Sequence, residues 1–200
     1  VYESPALDGV GIWVENKVKP IESGKSESEL REEIIKVLKE TGTEIIVSYL
    51  PVGSEKATQF WAQVCLDTNI AFVNCMPAFI ASDKEWAQKF TDKNIPIIGD
   101  DIKGQVGATI VHRTLARLCD ESGTKIEKTY QINGGGNTDF LNMKEQERLV
   151  SKKISKTESV QSQLTDRLDD DDIYVGPSDF IPFLGNTKLM FMRIEGRQWA

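Results

Sequence analysis

Two lysines four residues apart, Lys152 and Lys156, lie in the run Ser151-Lys152-Lys153-Ile154-Ser155-Lys156. On a helix such a pair shares one face, while Lys153 leaves on another. Two crowded cations need an anion between them, or one must release its proton. A phosphate ligand meets the first demand and a proton-transferring lysine exploits the second. Upstream stand Asn133, Gly134, Gly135, Gly136, Asn137, Thr138 and Asp139. Their short polar side chains can read hydroxyl groups. The glycines predict a sharp turn that brings backbone close to a ligand. Taken singly, a glycine run is a turn and a lysine pair a solvated face. Their combination is more specific. His112 is the only histidine. Its apolar neighbours on a helix predict a packed, hydrogen-bonded ring. With no second histidine, a histidine triad or a histidine-rich zinc site is disfavoured. Lysine and carboxylate are left as the acid–base groups.

A second constellation is Gly99-Asp100-Asp101-Ile102-Lys103-Gly104-Gln105. It joins an apolar strand to a helix. Amides there point outward at the positive helix end, which suits phosphate, although acidic residues capping a helix read equally well. No Gly-Lys-Ser/Thr follows at Walker spacing. Lys188 opens a third candidate, in Gly185-Asn186-Thr187-Lys188. A lysine at a strand start is ordinarily a solubilising residue.

The elements that must position these residues alternate. A capped helix carries Leu30, Ile34 and Leu38. The β-branched run 44–50 reads as a buried strand, followed by a helix over 55–67, a strand at 70–73 and a helix capped by Asp83. A strand at 95–98, a helix over 105–120 and a strand at 126–132 complete the series. Such units imply parallel pairing with ligands at the carboxyl ends of the strands. That rule points to Ser48, Tyr49, Asn74 and Asp101. Beyond Met143 a charged helix to about Leu168 has sparse apolar anchors, and 173–175 and 189–194 read as strands of a second sheet. The fold class is α/β, a partial Rossmann-like parallel sheet followed by an α+β domain. The expected domains are residues 1–132 and 133–200.

The 200 residues carry a net charge of −7. That disfavours general nucleic-acid binding. Cys65, Cys75 and Cys119 have no CxxC spacing and predict reduced thiols in a cytoplasmic protein. No apolar run reaches the length of a membrane span.

The stretches 133–143, 151–156 and 99–103 together resemble myo-inositol-1-phosphate synthase, closest to its shorter prokaryotic type. The resemblance runs through most of the chain. It implies NAD-dependent cyclisation of glucose 6-phosphate, with a divalent cation as a further cofactor to consider. It also implies a homotetramer assembled through the part after Met143. Residues 1–132 would be part of the NAD-binding domain. Residues 133–200 would be part of the catalytic and oligomerisation domain. Both chain ends then read as interior to a longer protein. By the same resemblance Lys152, Lys156, Lys188 and Asp139 are catalytic. Gly104, Gln105, Asn133, Asn137 and Thr138 contact substrate, and Ser48, Tyr49, Asn74 and Asp101 contact the cofactor. The family pattern has Ser where Gly104 stands, so a hydroxyl is lost there. Two alternatives remain at this point. One is an NAD-linked dehydrogenase of the homoserine dehydrogenase type, which would form net NADH. The other is a non-catalytic homologue acting by assembly.

Overall fold

The computed structural model describes residues 8–9, 11–13, 23–102, 106–145 and 150–197. The chain forms two compact units, Val1–Ile102 and Lys103–Ala200. The division falls earlier than the expected boundary, so residues 103–132 group with the second unit.

In the first unit, helix α1 (Glu27–Glu40) begins on a capping box between Ser26 and Glu29. The Ser26 amide donates to the Glu29 carboxylate at 2.8 Å. Strand β1 (Ile45–Ser48), helix α2 (Glu55–Thr68), strand β2 (Ala71–Asn74), helix α3 (Lys84–Asp92) and strand β3 (Ile97–Ile98) follow. The sheet order is β1-β2-β3, and both pairings are parallel. Phe72 and the helix residues Cys65, Leu66 and Phe90 form the core, with Ile46 and Ile97 packed against it. Burial pushes the Cys65 thiol up to about 12, so it stays a neutral packing group. The other sheet face leaves Ile45, Val47 and Ile98 exposed.

The second unit contains helix α4 (Ala108–Glu121), strand β4 (Lys125–Gly135), helix α5 (Thr138–Asn142), helix α6 (Val150–Gln161), strand β5 (Ile173–Phe180) and strand β6 (Lys188–Arg197). A short 3-10 turn at Pro182–Leu184 precedes β6. β4 is central, parallel to β5 and antiparallel to β6. Ala116 of α4 and Val160 of α6 pack on Ile126, Ile173 and Val175, which puts both helices on one face.

Three expectations are corrected here. The strand expected at 126–132 belongs to this second sheet, not to the parallel sheet of the first unit. The long charged helix is shorter, and its anchors Val160 and Leu164 serve the unit's own core. The glycines do not make a sharp turn. Gly134 and Gly135 end β4, and none of the three has a positive φ. They are small because neighbours press on them. A Cβ on Gly135 would sit 2.6 Å from the Phe140 ring, and one on Gly136 would sit 2.5 Å from the Ile181 carbonyl oxygen.

Candidate active site

The second unit holds a pocket of about 120 Å³. Its walls are the first turn of α4 (Gly107 to Ile110), Gln131 and Asn133 of β4, Lys156 of α6 and Lys188 of β6. Local sequence explains each wall. Gly107 stands at the N-cap of α4 with no side-chain cap. The first helical amides have no intrahelical acceptor, and the dipole leaves that end positive. Alternation along β4 sends Thr129, Gln131 and Asn133 to the helix-covered face, and all three are buried. Lys188 is register-paired with Gly135, where its ammonium lies 5.6 Å from the Phe140 ring centroid. The Lys156 side chain crosses Gly176, whose φ of 121° favours glycine. A Cβ there would meet the Lys156 side-chain carbon Cδ at 3.3 Å.

Asn133 is 4% exposed. Its Oδ1 accepts from Gln131 Nε2 at 3.2 Å. Its Nδ2 has no partner in the protein. A buried orphan donor is costly, on the order of 1–3 kcal/mol, unless a ligand satisfies it. Two ammonium groups, open helix amides and this orphan donor all suit one kind of occupant, an anionic oxygen such as a phosphate or an enolate.

The other expected site residues fall around this pocket or elsewhere. The Lys152 ammonium lies 4.0 Å from the Asp139 carboxylate and 2.9 Å from Met143 Sδ, with its side chain 18% exposed. Lys153 leaves on the opposite side and sits 4.6 Å over the Tyr174 ring. Asn137 is the N-cap of α5 and accepts from the Phe140 amide. Thr138 is exposed on the first turn of that helix. Gly104 and Gln105 lie outside the described residues.

Ser48, Tyr49, Asn74 and Asp101 all sit at the carboxyl end of the parallel sheet in the first unit. Ser48 Oγ is buried and unpartnered. Tyr49 is exposed, and its hydrogen bond with Cys75 holds its hydroxyl above the ordinary tyrosine range. Asn74 is fully buried, donating to the Ala78 carbonyl and to Asp100 and accepting from the Met76 amide. It orders the turn. Asp100 completes that turn by accepting from the amides of Ile80, Ala81 and Ser82 at 2.9–3.1 Å.

Among the described residues, no group of three or more His, Cys, Asp or Glu side chains is placed to hold a metal ion. No described helix is long and apolar enough to cross a membrane. The sequence reading missed the first turn of α4 at Gly107, and it missed Gln131. The alternation of β4 carries the signal for Gln131, two positions before Asn133 and on its face.

The class defined by these features is an α/β protein whose second unit carries a lysine-lined pocket. The comparisons narrow it. A profile described as myo-inositol-1-phosphate synthase matches residues 107–200. The inositol-3-phosphate synthase of Mycobacterium tuberculosis is 49% identical over 200 residues, covering 100% of this chain and 53% of that protein. That of Corynebacterium glutamicum is 46% identical, covering 98% of this chain and 54% of that protein. The chain thus spans about half the length of the curated relatives it matches. A solved structure of a myo-inositol-1-phosphate synthase-related protein from Thermotoga maritima aligns with TM-score 0.73 and 24% identity, covering 94% of this chain and 56% of that one. Inositol-3-phosphate synthase from Caenorhabditis elegans aligns with TM-score 0.72 and 16% identity, covering 95% and 46%. These two establish the fold. The chain belongs to the myo-inositol-1-phosphate synthase family.

Proposed function

We propose that the complete protein cyclises glucose 6-phosphate to myo-inositol 1-phosphate, in the cytoplasm and as a homotetramer. The observation that carries this reading is the meeting of Lys156, Lys188 and Asn133 at the open end of α4. The cyclisation needs a ketone at C5, an enolate formed by proton loss at C6, attack on the C1 aldehyde and reduction of the ketone. NAD, when bound, supplies the hydride acceptor and returns the same hydride. The residues at the carboxyl end of β1 fit it, since Ser48 Oγ is a buried orphan where nucleotides meet parallel sheets.

The chain's own residues supply the rest. Lys156 and Lys188 offset negative charge on the enolate oxygen and the phosphate, in a site organised before reaction. The first-turn amides of α4 hold an anionic oxygen. Lys152 and Asp139 form an ion pair at 4.0 Å. In that position they hold a substrate hydroxyl and exchange its proton.

The test is product formation. Complete protein with NAD and glucose 6-phosphate should yield inositol phosphate with no net accumulation of NADH. Steady NADH accumulation without an inositol product would point instead to a simple dehydrogenase.

A further inference from the structure

Behind Asn133 runs a buried chain of polar groups that the proposed mechanism does not use. His112 is fully buried on α4. Its Nε2 lies 2.7 Å from Thr129 Oγ1, and its Nδ1 lies 3.3 Å from Gln131 Oε1. Gln131, also fully buried, donates from Nε2 to Asn133 Oδ1 at 3.2 Å. Thr129 Oγ1 is in addition 2.9 Å from the Arg193 carbonyl oxygen. The chain ends in the pocket, on the orphan Nδ2 of Asn133.

Hydrogen bonds along such a chain must all point one way. With the proton on Nδ1, His112 donates to Gln131, Gln131 donates to Asn133, and Asn133 presents a donor to the pocket. The Thr129 hydroxyl then turns to the bare Nε2 from the Arg193 carbonyl, to which it otherwise donates at 2.9 Å. With the proton on Nε2 instead, every link reverses. Thr129 donates to the Arg193 carbonyl, both amides turn over, and Asn133 presents an acceptor. An acceptor facing an anionic oxygen would repel it. Of the other pocket groups, the lysine ammoniums and helix amides are donors only, and the Thr109 hydroxyl can donate as well as accept.

We propose that His112 and Gln131 are positioning residues that fix the Asn133 amide with its N–H in the pocket, so that the site selects a ligand oxygen able only to accept. This rests on the reading of the pocket as an anion site. It accounts for a histidine and a glutamine sharing a wall that packing alone would fill with apolar side chains. Burial lowers the His112 pKa below its ordinary value, with the Gln131 bond opposing, so the ring is neutral in the fold and its tautomer is a real choice.

Two measurements on the complete protein test it. The first is the nitrogen-15 spectrum of the histidine ring, assigned by loss of the signal in His112→Asn. A proton on Nδ1 at neutral pH is expected. A bare Nδ1 overturns the proposal, whatever any variant does. The second is the affinity for inorganic phosphate of wild type, Lys156→Ala and Gln131→Met, each checked for an unchanged melting temperature. Both variants should weaken binding about tenfold, the scale of one hydrogen bond to a charged group. Loss in Lys156→Ala with none in Gln131→Met leaves the anion pocket standing and sinks the positioning role. No loss in Lys156→Ala sinks the pocket reading itself, and this inference with it. His112→Asn keeps a donor where Nδ1–H stood and should bind phosphate within about threefold of wild type, whereas His112→Leu should follow Gln131→Met.

Discussion

Lys152, Lys153 and Lys156 share one helix and meet three different surroundings. Lys156 lines the pocket, Lys152 faces Asp139, and Lys153 lies over Tyr174 outside both. Their variants should therefore separate. In the complete protein, Lys156→Ala should raise the barrier to cyclisation by about 3–4 kcal/mol, the scale of removing one preorganised charge. Lys152→Ala should come close to it. Lys153→Ala should leave activity intact and change stability by less than about 0.5 kcal/mol. Steady-state assay of inositol phosphate, with circular dichroism as the folding control, decides. Equal activity in all three folded variants would make these lysines a solvated face. That Lys152 and Lys156 share a helix face was legible from their spacing, but their separate neighbours were not. Gln131 was not, because a glutamine in an alternating strand carries no sign of what its face will meet.

At the scale of elements, the join between β4 and α5 depends on close approach. Gly135 touches the Phe140 ring and Gly136 touches backbone of the 181–185 turn. A flexible side chain could yield, but backbone cannot. Gly136→Ala should therefore destabilise the fold by about 1–3 kcal/mol and disturb Lys188, which follows that turn. Thermal melting together with phosphate affinity would reveal it, and an unchanged melt would mean that the turn moves aside freely. The glycines announced their need for space in the sequence, but not its cause. Strand positions were similarly legible for β1, β2 and β6. The membership of β4 was not, because period-two alternation marks a strand without naming its partners. The contact of α4 with β4 also sets a pH dependence. His112 has a folded pKa below its unfolded value. The unfolded chain therefore binds the proton more readily, and stability is lost as pH falls below about 6.5, with a slope of at most about 1.4 kcal/mol per pH unit for one group. His112→Asn should flatten that limb of a denaturation profile between pH 7 and 5. An identical slope in the variant would assign the dependence to other groups.

For the whole molecule, the chain is acidic, with a net charge of −7, while its pocket is locally cationic. Binding of an anion is then decided by short-range donors rather than by the overall field. Assembly is decided elsewhere. Of the apolar anchors past Met143, Val160 and Leu164 are used inside the second unit, while Ile154 is exposed. The sheet face away from the helices is available. Ile132, Leu189 and Phe191 are exposed on it, and Tyr130 lies 5.9 Å from Phe191, ring centre to ring centre. Ile132 and Phe191 are register partners, so this apolar strip runs across two strands. A second copy presenting the same strip would cover it in an isologous contact, as two-fold assembly requires. Light scattering of the complete protein should therefore report a homo-oligomer, with four copies expected from the family. Phe191→Glu should lower the mass by placing carboxylates against one another in the contact, while leaving circular dichroism unchanged because the ring is exposed in the single chain. A mass unaffected by Phe191→Glu would move the contact to another surface. A monomeric wild type at working concentration would remove assembly through this sheet altogether.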